Sequence, residues 1–361
     1  MSAVRVALSM LTLVPGAMGG TETYARALTR HLDPARVDAT AYVPLGAAGF
    51  SGGVREVVVP EVTAGASTLA RLTVAARGTL LGGRIRRRMS GAQVVHFPFT
   101  AAIPPIGPAV GRVVTVHDVQ HLDLPGNFSR AERAYRRLTY EAPARAADLV
   151  ITDSEFARAS IIRHLGLPPD KVRAIHLGFD ASGFTPGAEA RENFLLYPAR
   201  PYAHKNHRAL IDAVGLLRRE DADLRLVLTG EGLERLGDVP DWVERRGLIS
   251  FDELKRLYRT ARLLVFPSLY EGFGLPPLEA MASGCPVAAA DAASIPEVVG
   301  DAAELFDPSS ADSIADGVRR ALARTDDLVA RGLARAASAG GWAACVRAHE
   351  DAYLEVAARF G

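Results

Sequence analysis

The chain has 361 residues, with 42 Lys and Arg against 41 Asp and Glu, a formal net charge of +1 and 48% hydrophobic residues. This length exceeds the usual single core, so two domains are expected, and the balanced charge offers no field for a nucleic acid partner. Only Cys285 and Cys345 are present, too few for a disulfide framework or a zinc site. The start, Val4-Arg-Val-Ala-Leu8, lacks the features of a secretion signal, and no apolar run approaches the about 20 residues of a membrane span. A cytoplasmic enzyme is the expectation.

In chain order, strand-like runs fall at Val4 to Leu8, Val37 to Val43, Val57 to Val59, Val94 to Phe97, Val113 to Val116 and Leu149 to Thr152. A Gly-rich loop, Pro15 to Gly20, follows the first run and leads into a helix from Thr23 to Leu32. The theme repeats at Phe194 to Pro198, Leu224 to Thr229, Leu263 to Pro267 and Pro286 to Ala290, with helical periodicity over Arg208 to Arg219, Asp252 to Thr260 and Asp312 to Arg324. Alternating β and α elements predict two doubly wound parallel sheets. Gly and Pro interrupt both patterns over Gly183 to Ala190, which sets the domains at 1–184 and 190–342. Ligand is expected between the halves. A last helical run, 343–361, follows Ala339-Gly-Gly341.

The densest signal is Pro267-Ser-Leu-Tyr-Glu-Gly-Phe-Gly-Leu-Pro-Pro-Leu-Glu279, which sets Glu271 and Glu279 around a Gly-rich bend between a strand and a helix. Ligands of such folds bind at that edge of the sheet. The amides of Gly274 and Leu275 favour a phosphate or hydroxyl-rich ligand there. Each carboxylate can accept two hydrogen bonds from a vicinal diol, one from a ribose and the other from a hexose. Arg200 and Lys205 follow the strand Phe194 to Pro198, so two cations reach the same edge and suit a diphosphate. The bland alternatives are a carboxylate complementing the helix dipole and solvated loop charges. His117-Asp118 ends another strand, and His117 with His121 would suit a metal only on a helix, against which Pro125 argues. Gly19-Gly20 lets backbone approach a donor phosphate or an acceptor, or forms a plain turn. A nicotinamide fingerprint would need an acidic end to strand two, where Pro44-Leu-Gly46 stands instead. Asp221-Ala-Asp223 lies at the wrong edge and reads as a solvated turn. Arg84 to Arg88 could reach anionic lipid but reads as a solvated face, with Gly82-Gly83 interrupting its amphipathic run.

Glu271-Gly-Phe-Gly-Leu-Pro-x-Leu-Glu279 resembles the paired-glutamate motif of family 4 retaining glycosyltransferases, whose fold is GT-B: two Rossmann-like doubly wound domains facing across a cleft. Gly19-Gly20-Thr-Glu22, Val116-His117-Asp118 and Arg200-Pro-Tyr-Ala-His-Lys205-Asn206 match in the order that family requires, and the likeness runs from about Val4 to Asp307. The resemblance implies metal-independent transfer of a hexose from a nucleoside diphosphate sugar to an acceptor hydroxyl, with no cofactor. Glu279 would hold the ribose, Glu271 the sugar and Arg200 with Lys205 the diphosphate. Phe273, Gly274, Leu275 and Gly230 would line the donor site, with the base near Leu248 and Ile249. His117 would face the donor sugar, with Asp118 fixing its imidazole or its loop, and the catalytic set would be His117, Arg200, Lys205 and Glu271. The last helix would return to the first domain, or else end simply on the second. The contexts around His117 and Lys205 look nearest to mannosyltransferases, which favours GDP-mannose over UDP-hexoses. The acceptor, a small molecule, glycan or lipid-linked group, would meet loops such as Leu45 to Arg55 and Phe97 to Pro108. An epimerase of the same fold and a non-catalytic nucleotide-sugar-binding subunit are the other readings.

Overall fold

The computed structural model describes residues 3–65 and 68–360. Residues 1–2, 66–67 and 361, within the ranges assigned above to the first domain and last helix, lie outside the described residues. By its contacts the chain forms two compact units, Met1–Gly178 with Gly340–Gly361, and Phe179–Ala339.

The first unit holds a parallel sheet of seven strands: Val4–Ser9 (β1), Val37–Leu45 (β2), Arg55–Thr63 (β3), Val94–Phe97 (β4), Gly111–Thr115 (β5), Leu149–Thr152 (β6) and Val172–Ala174 (β7). Their order is β3-β2-β1-β4-β5-β6-β7. The second unit holds six: Glu192–Pro198 (β8), Arg225–Thr229 (β9), Val243–Arg245 (β10), Ala261–Phe266 (β11), Val287–Ala290 (β12) and Glu304–Phe306 (β13), in the order β10-β9-β8-β11-β12-β13. Both orders reverse direction once, between β1 and β4 and between β8 and β11. A topological switch of this kind leaves a crevice beyond the strand carboxyl ends, because the connecting helices leave on opposite faces.

The burial pattern explains why these runs form strands. β4, β6 and β12 are buried at every residue, the near-continuous apolar pattern of a sheet covered on both faces. In the first unit one face packs Leu8, Val94 and Val113 against Tyr24, Leu28 and Tyr353, and the other packs Ala7, Val95 and Val114 against Ile85, Ile161 and Leu165. Cys285 and Cys345 are both buried, which pushes each thiol up to about 12.

The helix Trp342–Ala358 packs on β1, β4, β5 and the helix Gly20–His31 of the first unit. Glu350 anchors it, accepting from the Asp33 amide at 2.7 Å and from Arg36 at 2.6 Å. The division at 178/179 comes earlier than the Gly/Pro punctuation at 183–190 suggests. Residues 179–184 belong to the second unit because Phe179 stacks on Phe184 at 5.9 Å, and Phe184 meets Phe251 at 5.2 Å and Tyr258 at 6.0 Å edge-on. Gly82 and Gly83 open the helix Gly82–Arg88 instead of interrupting it, with Ile85 buried and the arginines exposed. Among the described residues no helix is long and apolar enough to cross a membrane.

Candidate active site

In the second unit, the carboxyl ends of β8 and β11 flank the switch point, and each carries one half of an ion pair. Lys205, in a short turn over Ala203–Lys205, sets its Nζ 2.5 Å from Glu271 Oε1, with the two side chains 19% and 12% exposed. The turn is fixed from below. The buried Tyr197 hydroxyl donates to the Lys205 carbonyl at 2.8 Å and lies 2.9 Å from Ser268 Oγ. Asn206, at φ 60°, ties it to the Pro308 carbonyl at 2.7 Å. Glu271 is held the same way, because the buried Ser294 hydroxyl lies 2.9 Å from the carbonyls of both Glu271 and Phe273. Gly274 follows at φ +96°, a conformation that favours glycine, and turns the chain into the helix Pro276–Ala282, where Pro276 occupies the first position.

Arg200 pairs with Glu231, beyond β9, at 2.7 Å, with the guanidinium side chain 33% exposed. Gly230 permits this approach of the two strand ends. A Cβ there would stand 2.7 Å from the Ala199 carbonyl oxygen, and its φ is +134°. Its amide donates to the Gly247 carbonyl at 2.8 Å, which ties the loop of Leu248 and Ile249 to the end of β9. Leu248 is 82% exposed there and Ile249 half-buried. Glu279, in the first helical turn, accepts from the Tyr258 hydroxyl at 2.8 Å. Burial raises its carboxyl to about 7, with the Tyr258 bond acting in the opposite direction. Lys205 and Glu271 thus touch, while Arg200 and Glu279 each hold a different partner.

In the first unit, the loop after β1 is braced by Glu22, which accepts from the Gly16 amide at 2.7 Å and pairs with Arg26 at 2.8 Å. Gly19 lies at φ 57°, and Gly20 begins the helix Gly20–His31, three residues earlier than expected. His117 follows β5. Its Nδ1 lies 2.8 Å from Asp153 Oδ2 and its Nε2 3.1 Å from the Pro98 carbonyl oxygen. Burial opposes charge on this ring, but Asp153 and the carbonyl outweigh it and raise its pKa. Asp118 fixes the loop and not the imidazole, accepting from the Gln120 amide at 3.0 Å. His121 sits on a one-turn helix, Gln120–Asp123, that excludes His117. Asp221 is not a free turn charge: it pairs with Arg262 at 2.8 Å at the opposite edge of the second sheet.

Residues 184–332 match the family described as glycosyl transferases group 1, and residues 18–182 match Glycosyltransferase Family 4. An O-antigen chain mannosyltransferase B from Escherichia coli is 32% identical over 67% of this chain and 69% of its own length. The chain belongs to the group 1, family 4 glycosyltransferases. Sucrose-phosphate synthase from Thermosynechococcus elongatus shares the fold at a TM-score of 0.77, with 20% identity over 99% of this chain and 100% of its own. Alr3699/HepE from Anabaena, solved with UDP and glucose, does so at 0.71 with 17% identity, covering 98% of this chain and all of that one (100%). As a GT-B glycosyltransferase, the chain carries the motif residues at the carboxyl edges of both sheets.

Sequence reasoning missed four residues that this family member uses to hold the motifs in place: Asp153, Glu231, Tyr258 and Ser294. Asp153 and Glu231 were findable, since each lies within two residues of a strand's carboxyl end, as His117 and Arg200 do. Tyr258 and Ser294 carry no such signal, because a helical tyrosine and a loop serine look the same whether or not they reach a motif.

Proposed function

We propose that this glycosyltransferase moves a hexose, with mannose favoured, from a nucleoside diphosphate sugar to an acceptor hydroxyl with retention of configuration. The observation that carries the reading is the Lys205–Glu271 pair bridging the switch point of the second sheet. Two cations near that edge are each matched by a carboxylate, Lys205 by Glu271 and Arg200 by Glu231. A diphosphate exchanges one anionic partner for another at both cations, so binding it does not require burying uncompensated charge. As the glycosidic bond breaks, negative charge grows on the leaving phosphate, and two fixed cations stabilise that state more than the ground state. That is the work a divalent ion does in other transferases, so activity is expected to survive chelation.

Glu271, freed from Lys205, accepts from the sugar's hydroxyls, and Glu279 accepts from the ribose diol once ionised. The base lies by Leu248 and Ile249, and His117 hydrogen-bonds the donor sugar. No second carboxylate is assigned as a covalent nucleophile, so the acceptor attacks on the face the diphosphate leaves, and the departing phosphate takes its proton. Mannose is favoured because the E. coli relative is named a mannosyltransferase. A thermal-shift series with GDP-mannose, UDP-glucose and the free diphosphates identifies the donor, which stabilises the fold by mass action. Proton NMR of the product then tests the stereochemistry, and an inverted anomeric centre overturns retention.

A further inference from the structure

Asp153 is a buried carboxylate, 4% exposed, directly after β6 at the carboxyl edge of the first sheet. Its Oδ2 stands 2.8 Å from His117 Nδ1, and across the ring Nε2 faces the Pro98 carbonyl oxygen at 3.1 Å. Carboxylate and carbonyl both accept hydrogen bonds. A neutral imidazole has one N–H and one lone pair, so either tautomer would turn a lone pair onto an oxygen. Only the doubly protonated ring donates on both sides. We infer that Asp153 is a positioning residue that holds His117 as an imidazolium, so that His117 serves the transfer as a fixed cationic donor and not as a base. The functional half of this inference rests on the donor-sugar role proposed above for His117.

The other groups around the ring fit this assignment. Tyr24, from the helix Gly20–His31, meets the ring edge-on at 5.3 Å, and its hydroxyl is committed to Thr115 at 2.9 Å and His349 at 2.8 Å. Asp118 adds a nearby acid, itself raised by burial and lowered in turn by Arg136. His96 on β4 and His349 on the last helix are both pushed below the ordinary histidine value by burial, His349 to about 4, so neither competes as a cation for Asp153. Of these three rings only His117 is raised, because burial is outweighed by Asp153 and Pro98. The Nε2 contact is the longer of the two, so a substrate oxygen replaces Pro98 there while Nδ1 stays anchored. A charged donor in that position suits an oxygen that gains negative charge.

The test is a histidine-ring nitrogen–proton NMR titration of the full chain, run beside the pH profile of kcat/KM. Wild type is expected to show both His117 nitrogens protonated at pH 7. Asp153→Asn, which keeps an acceptor oxygen but loses the charge, is expected to lower that titration by at least one pH unit. It should lower turnover tenfold or more and move the basic limb of the profile down by the same interval. An unchanged titration and limb in Asp153→Asn overturn the inference, and so does a singly protonated wild-type ring at pH 7, which needs no variant. His117→Gln separates the two claims: wild-type turnover there removes the donor-sugar role, while the ring titration of wild type against Asp153→Asn still reports on Asp153.

Discussion

At the edge of the second sheet, charged groups are matched to one another and partly exposed: Lys205 with Glu271, Arg200 with Glu231. Behind the equivalent edge of the first sheet, neutral polar groups are joined in a buried hydrogen-bonded chain. Tyr24 bonds Thr115 and His349, Thr115 lies 2.8 Å from His96 Nε2, and Tyr353 lies 2.7 Å from His96 Nδ1. The edges of the two sheets therefore differ in kind, one carrying matched ion pairs and the other backed by buried, mutually bonded neutral groups. The difference follows from solvent. The Lys205 and Glu271 side chains keep 19% and 12% of their surface exposed, whereas Tyr24, His96 and Tyr353 are buried, and opening their network leaves unpaired groups that cost about 1–3 kcal/mol each.

The sharpest way to break this contrast is at the ion pair. Lys205→Ala and Glu271→Gln should each lower kcat/KM by about 10²–10³-fold, and, with the two side chains only 19% and 12% exposed, losing either partner should also lower the melting temperature. Steady-state kinetics beside calorimetry checks both, and wild-type turnover in either variant removes its role. Glu279 is the exception at this edge, since burial raises its pKa to about 7 from 4.5. The folded state therefore holds that proton more tightly, and wild-type stability falls as pH rises from 4.5 to about 7, then stays low. Glu279→Gln cannot ionise, so above pH 7 it should be more stable than wild type by up to about 3 kcal/mol, and by nothing below pH 4.5. Denaturant melts across pH check this, and parallel curves would contradict it.

Next in size, Gly230→Ala forces a Cβ onto the Ala199 carbonyl at positive φ, which should cost about 1–3 kcal/mol. It should also raise KM for the donor by displacing Arg200, and an unchanged KM would detach Arg200 from the donor. The smallest effect is expected at the opposite sheet edge. Asp221→Asn removes a surface pair with Arg262 and should change stability by less than about 1 kcal/mol and activity not at all. A large loss of activity would mean the functional edge has been assigned wrongly.

The sequence made the strands that are buried throughout easy to read, since β4 and β6 are recovered to the residue. It hid β7, β10 and β13, three-residue strands whose runs, such as Val243–Arg245, mix polar and apolar residues. Short strands gain their identity from neighbours already in the sheet, and local pattern does not carry that. The motif residues were legible because strand-end position and charge type are local properties. Their partners were not. Tyr258 reaches Glu279 from another helix, and the unit boundary depends on Phe184 packing against Phe251 and Tyr258, contacts that only the fold creates.

Isothermal titration of wild type and Lys205→Ala with GDP and UDP tests the central claim most directly. At least one diphosphate should bind wild type, with affinity falling tenfold or more in the variant and weakening with added salt. Equal affinity in the two proteins would contradict the assignment of the second unit's paired charges to the donor diphosphate.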